Sequence, residues 1–188
     1  MQNRTGNEST EIARGLYRIG SRLGPRYVYQ YLLVDLYGAL LVDAGMRETP
    51  DEAIIPFMEQ KGIRPEQLKW LIISHSDVDH FSGVRRMREY AASLTVMAHC
   101  KDAPLIESKT AITKNRYFYY ESLGVEHDPE TKQWFLDSIE PARVDVQLSG
   151  GEMIKLGPDR IIEIIHTPGH SDGHLTVYDR KNRSAIVV

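Results

Sequence analysis

Short apolar runs separated by turn residues organise most of the chain. Residues 16–19, 27–35 and 39–43 read as strands, and Tyr37-Gly38 between the last two predicts a hairpin. Residues 49–62 (TPDEAIIPFMEQKG) carry helix punctuation. Thr49 is the expected N-cap, Pro50 occupies the first helical position, Glu52 completes a capping box, and Gly62 supplies the stop. Residues 68–74 (LKWLIIS) form a short apolar run rich in strand formers, which predicts a buried strand. A helix-like stretch follows at 84–92 and another strand at 94–98, so the middle alternates strand and helix and points to an α/β sandwich. Residues 101–140 are polar and aromatic with little alternation and are expected to form a helical insertion. After them, 144–147, 153–156, 160–165, 175–178 and 184–188 read as strands, with turns at Gly150-Gly151, Gly157-Pro158-Asp159 and 179–182. Residues 1–10, MQNRTGNEST, are polar and expected to be disordered or tag-like. No short repeat or low-complexity tract interrupts this pattern, so 188 residues make a single domain, 1–188.

Composition adds exclusions. Hydrophobic residues at 41% and charged residues at 26% are ordinary for a soluble globular domain. A net charge of −3 gives no general attraction to nucleic acid or an acidic membrane surface. The apolar runs are too short to span a bilayer, and the first residues lack a signal peptide's apolar stretch. One cysteine, Cys100, excludes an internal disulfide and fits a reducing compartment. The expected protein is soluble and cytoplasmic, acts on a small molecule, binds neither nucleic acid nor membrane, and is allowed to form a homodimer.

The candidate chemistry sits in SHSDVDH, residues 74–80, where His75, Asp77, Asp79 and His80 place four metal donors within six positions. In an extended segment, residues two apart point the same way, so His75, Asp77 and Asp79 are expected to share a face. His80 joins them only if the chain turns, which Phe81-Ser82-Gly83 permits. The helix after the motif is expected to aim its positive end at this region. A second cluster, HTPGHSDGH at 166–174, spaces histidines by four, but Pro168 and Gly169 argue for a loop. His170 is the best ligand candidate there, while His166 and His174 more simply hydrogen-bond behind the ligands or cap a strand. The alternative for the first cluster is a solvated turn before a helix.

These motifs, with VDAG at 42–45, H-S-D-V-D-H at 75–80 and TPGH at 167–170, resemble the metallo-β-lactamase superfamily in order and spacing. The resemblance implies a four-layer αββα sandwich with metals at one edge of its two sheets. It implies His75, Asp77 and His170 as ligands of a first metal and Asp79 and His80 as ligands of a second. Asp43 matches the family's turn aspartate, which supports the site from behind; a plain turn residue is the alternative.

Two departures stand out. Asp77 replaces the usual histidine, a harder donor that shifts preference from zinc towards iron or manganese. Zinc remains the leading expectation, since two histidines and a carboxylate form a known catalytic zinc set. The chain also ends at AIVV, before the family's bridging aspartate and last histidine, so a C-terminal truncation is expected, with one or two divalent ions per chain. The expected function is hydrolysis of an ester, lactone, thioester or amide-type small molecule by metal-activated hydroxide, with Asp79 orienting that hydroxide or accepting its proton. A di-iron redox protein and a non-catalytic binding module are the alternatives. The insertion is expected to roof the pocket, with most of its aromatics packing their own small core. His99-Cys100 is read as a buried histidine beside a core cysteine, His127 as a surface turn residue, and Arg85, Arg86 and Arg88 as a solvated helix face.

Overall fold

The computed structural model describes residues 8–188. Strands β1 (Ser9–Ala13), β2 (Leu16–Leu23), β3 (Arg26–Asp35) and β4 (Gly38–Val42) run antiparallel as successive hairpins. The chain then passes through a wide helical turn, Pro50–Ile54, into α1 (Ile55–Gln60) and returns as β5 (Leu68–Ile73), parallel to β4. Helices α2 (Val78–Phe81) and α3 (Val84–Tyr90) lead to β6 (Thr95–His99). The insertion, α4 (Ala103–Glu107), α5 (Lys109–Ile112) and α6 (Pro129–Ser138), then leads to β7 (Val146–Leu148). Parallel pairing of β5, β6 and β7 completes a seven-stranded sheet in the order β1 to β7. A second sheet, ordered β11-β10-β9-β8, comprises β8 (Met153–Lys155), β9 (Ile161–His166), β10 (Leu175–Asp179) and β11 (Ser184–Ile186).

The sequence explains why the large sheet is buried on both faces. In β4 every residue is buried, as a central strand covered on both sides requires. Leu41, Leu71, Ile73 and Val96 pack on one face under Ile54, Phe57, Met58, Val84 and Met87 of the helices. Leu40, Val42 and Ile72 pack on the other against Ile162, Ile164, Leu175 and Val177 of the small sheet. The described residues thus supply helix, sheet and sheet layers of the expected sandwich. No residue of the small sheet joins the helix-covered core.

A buried arginine ties the two sheets together. Arg160, 1% exposed, donates from Nε and Nη2 to Asp179 Oδ2 at 3.2 and 2.6 Å. Its Nη1 donates to the carbonyls of Gly15 at 3.0 Å and Val34 at 2.8 Å, across in the large sheet.

Several local expectations change. Ser9 and Thr10, expected in a disordered start, pair with Ile19 and Arg18 in β1; residues 1–7 lie outside the described residues. The capping box at Thr49 does not form. Thr49 already has helical backbone angles, and its hydroxyl accepts the Met46 N–H at 3.0 Å, so it closes the preceding turn instead of the helix. Cys100 is exposed, not core, because it follows the last residue of β6. The arginines of α3 are paired as well as solvated: Arg86 with Asp51, Arg88 with Asp145, Arg85 with Glu140.

Candidate metal centre

Strand β5 ends at Ile73, the chain bends at His75 and Ser76, and Asp77 has extended angles, with φ −79° and ψ 142°. Val78 starts α2. The bend brings His75 and Asp77 together, with Nε2 and Oδ2 3.3 Å apart, while Asp79 and His80 lie on a helical turn that sets the His80 ring 4.0 Å from that of His75. The extended run expected to carry Asp79 onto one face with His75 and Asp77 does not form, because the chain bends and turns helical at Val78.

The TPGH loop completes the cluster. His75, Asp77 and His170 form the one group of three among the described residues whose donor atoms all lie within 4.8 Å of one another. Asp77 Oδ2 stands 3.3 Å from His75 Nε2 and 2.7 Å from His170 Nε2. Burial pushes the His75 imidazole below its ordinary pKa, against the opposing pull of Asp77, so it is neutral at pH 7. Burial pushes the Asp77 carboxyl up, but hydrogen bonds from His75 and Arg116 and the charge of Arg116 hold it well below the ordinary carboxylate range. An ionised carboxylate and a neutral imidazole whose proton sits on Nδ1 are the states in which these groups hold a metal. On donor type, state and spacing, the residues fit a divalent cation.

Asp79 and His80 form a second, smaller pair, with Asp79 Oδ2 3.6 Å from His80 Nε2 and the His80 ring centroid 4.0 Å from that of His75. Asp43 holds this pair from behind. It is fully buried, has a left-handed φ of 64°, and accepts the Ser74 N–H at 2.7 Å and the Ser74 hydroxyl at 2.7 Å. Its Oδ2 also lies 2.8 Å from His80 Nδ1. Burial disfavours a charged His80, but the Asp43 carboxylate outweighs that and raises its pKa. A carboxylate on one ring nitrogen leaves the other facing forward, an arrangement common behind histidine ligands. The turn after the motif packs tightly: a Cβ on Gly83 would meet the Ala44 carbonyl at 2.3 Å.

His174 is buried and engaged on both nitrogens, Nδ1 with the Thr167 hydroxyl at 3.0 Å and Nε2 with the Val188 carbonyl at 2.9 Å. His166 stacks on His99 with centroids 4.0 Å apart and pairs through Nε2 with the Asp172 carbonyl at 2.8 Å. Both lie outside the three-donor cluster.

Two residues, Asp102 and Arg116, were not singled out by sequence reasoning; Tyr117 belongs to the insertion aromatics expected over the pocket. Asp102, 1% exposed, follows β6 and accepts the Ser76 N–H at 2.8 Å, the Ser171 hydroxyl at 2.7 Å and the Gly173 N–H at 2.9 Å. It clamps the His75 segment to the His170 loop. A Cβ on Gly173 would meet the Asp102 carboxylate at 2.5 Å, so that loop position needs glycine. The signal available was a carboxylate just past the carboxyl end of a parallel strand, where α/β sheets build their sites. Arg116 and Tyr117 come from the insertion. Arg116 Nε donates to Asp77 Oδ1, and its Nη2 lies 3.3 Å from His170 Nε2. The Tyr117 hydroxyl accepts the Val78 N–H at 2.7 Å, so the first amide of α2 is already engaged and does not face a ligand. Burial, then the charge of Asp77, pushes the Tyr117 phenol pKa up. No spacing in the sequence marks either residue.

A cavity of about 630 Å³ opens over the cluster, lined by Asp77, His170, Arg116, Tyr117, Tyr119 and Tyr120 among others. Tyr117 also stacks on Phe135 at 4.0 Å, so the insertion's aromatics divide between its own packing and this wall. A smaller cavity of about 310 Å³ lies beside Asp79 and His80, walled by Tyr27, Tyr29, Tyr31 and Val187. No helix among the described residues is long and apolar enough to cross a membrane.

Comparison with known structures places the fold. A metallo-beta-lactamase from Cronobacter sakazakii, a mutant of the HARLDQ motif, matches with a TM-score of 0.72 at 20% identity, covering 95% of this chain and 62% of that one. Native FEZ-1 metallo-beta-lactamase from Legionella gormanii matches with a TM-score of 0.70 at 21% identity, covering 96% and 62%. BJP-1, a subclass B3 metallo-beta-lactamase of Bradyrhizobium japonicum, gives 0.68 at 19%, covering 95% and 59%. The chain thus spans about six-tenths of the length of these enzymes. The sequence model of the Metallo-beta-lactamase superfamily matches residues 23–187, taking in every motif of the site. The chain belongs to the metallo-beta-lactamase superfamily.

Proposed function

We propose that the chain carries the metal-binding half of a metal-dependent hydrolase acting on an ester, lactone, thioester or amide-type small molecule. The observation that carries this reading is the convergence of His75, Asp77 and His170, whose donor atoms lie within 4.8 Å of one another and of which Asp77 and His170 line a cavity of about 630 Å³. That volume lies within the ~300–1,000 Å³ of small-molecule sites. His75 Nε2, Asp77 Oδ2 and His170 Nε2 would hold a first divalent ion, zinc foremost, with iron or manganese admitted by the harder Asp77 oxygen. Asp79 and His80 would hold a second, with His80 fixed by Asp43. When bound, the metal supplies acidified water and polarises the scissile carbonyl. The chain's own residues do the rest. Asp79, on the neighbouring turn beside His80, is the carboxylate that would accept the proton of the attacking water. Tyr117 and the insertion wall the cavity and exclude bulk solvent, which strengthens every charge interaction inside.

The test uses His170→Ala. His170 has a side chain 58% exposed, so its loss leaves the core intact. Wild type, dialysed against zinc, iron and manganese in turn, is expected to hold at least one ion by elemental analysis and to cleave activated esters or lactones. The variant is expected to fold and lose both. Wild-type metal content in the variant refutes the site. Bound metal with no hydrolysis across the panel favours a binding module, and bound iron with oxygen consumption favours redox chemistry.

A further inference from the structure

Resting on the metal reading above, we propose that Arg116 sets the charge of the centre: it cancels Asp77 and so selects a divalent over a trivalent ion. The two oxygens of Asp77 face opposite ways. Oδ2 looks towards His75 Nε2 and His170 Nε2, at 3.3 and 2.7 Å. Oδ1 takes the Arg116 Nε–H. One carboxylate is thus shared between a ligand seat and a guanidinium.

Arg116 is held in this place by more than its own pair. Its Nη1 reaches the His170 carbonyl at 3.4 Å. Its neighbour Tyr117 is fixed by the Val78 N–H at 2.7 Å and by stacking on Phe135 at 4.0 Å. The side chain is only 18% exposed, so water screens its charge poorly.

Charge counting gives the consequence. Three histidines sum to zero, whereas two histidines and Asp77 sum to −1. A more negative donor set favours a trivalent ion over a divalent one, because each added unit of ion charge gains a further unit of attraction. Arg116 returns the sum to zero. The centre keeps the hard oxygen of a carboxylate without its net charge.

A merely structural role for Arg116 would move affinity for all ions alike, so the informative quantity is a ratio. Affinities for Zn2+ and for redox-inert Ga3+ are measured by chelator competition in the wild-type chain, in Arg116→Gln and in Arg116→Lys. Gln can place an amide N–H where the Arg Nε–H meets Asp77 Oδ1 but drops the charge and the Nη groups; Lys keeps the charge. The Ga3+/Zn2+ ratio is expected to rise at least about tenfold in R116Q, the scale of one unscreened neighbouring charge, and to stay near wild type in R116K. An unchanged ratio in R116Q overturns the proposal, as does an equal rise in R116K, which would assign the effect to geometry. Failure of the metal reading looks different: wild type would take up neither ion, or His170→Ala would hold zinc as well as wild type.

Discussion

Asp102 offers the sharpest test of how the His75 segment and the His170 loop are held together. Its carboxylate is 1% exposed and accepts from Ser76, Ser171 and Gly173, one partner beside His75 and two beside His170. Hydrogen bonds to a charged acceptor contribute about 1.5–3 kcal/mol each. Three would reach roughly 5–9 kcal/mol if they added, but bonds sharing one acceptor do not add, and deletion also removes a buried charge. The expected loss for Asp102→Ala is therefore about 3–5 kcal/mol, with two amides and a hydroxyl left unpaired. Asp102→Asn should cost less, about 1–2 kcal/mol, because its amide turns one acceptor into a donor facing a donor. The assay is urea unfolding followed by circular dichroism, with linear extrapolation at constant slope. The same variants should bind zinc more weakly, since the clamp sets the distance between His75 and His170. A loss under about 1 kcal/mol in Asp102→Ala, or full stability loss with unchanged zinc affinity, would refute the clamp.

Two further predictions follow from the same physics. Arg160→Ala leaves the fully buried Asp179 without its guanidinium and frees two carbonyls of the large sheet, so unfolding stability should fall by about 3–5 kcal/mol; a fall under about 1 kcal/mol in urea titration would show that the sheets need no such tie. Asp77 predicts an acid limb: its folded-state pKa lies below the ordinary 3.8, so its stabilisation is present above that value and lost as pH falls through the lower one. Asp77→Asn, measured metal-free with chelator present, should show a shallower decline of stability below about pH 4, and parallel pH curves for the two proteins would contradict the assignment.

The parts of this fold legible in sequence are those where one residue's environment is set by its neighbours in the chain. The run at 68–74 announced β5 because Leu68 and Leu71 to Ile73, buried between helices and the second sheet, have to be apolar. Gly62 stopped its helix because a left-handed φ of 67° suits glycine. The donor cluster was half legible for a related reason: His75 and Asp77 are two apart in the chain, and they do come together, with Nε2 and Oδ2 3.3 Å apart, although the chain bends between them rather than staying extended. Asp79 was misplaced by extending that period across Asp77, where the backbone turns helical. Thr49 was misplaced because its hydroxyl had two local amides to choose from, and a capping pattern does not say which one it takes.

What the sequence withheld are contacts between distant segments that carry no periodic mark. Asp102 lies 69 positions from Ser171, and Arg116 lies 39 from Asp77. Each is a charged residue in a stretch rich in them, and only the fold distinguishes it from a solvated surface charge. Yet these residues make the departure at Asp77 intelligible. A carboxylate where the family carries histidine looks, in sequence alone, like a change of metal or a lesion. With Arg116 on its outer oxygen and Asp102 holding the segment beneath, the same carboxylate is held ionised and oriented, and the proposal above gives it the part of a donor whose net charge is cancelled. The substitution and the insertion that answers it are best understood as one feature, and the zinc and gallium affinities of R116Q decide whether that holds.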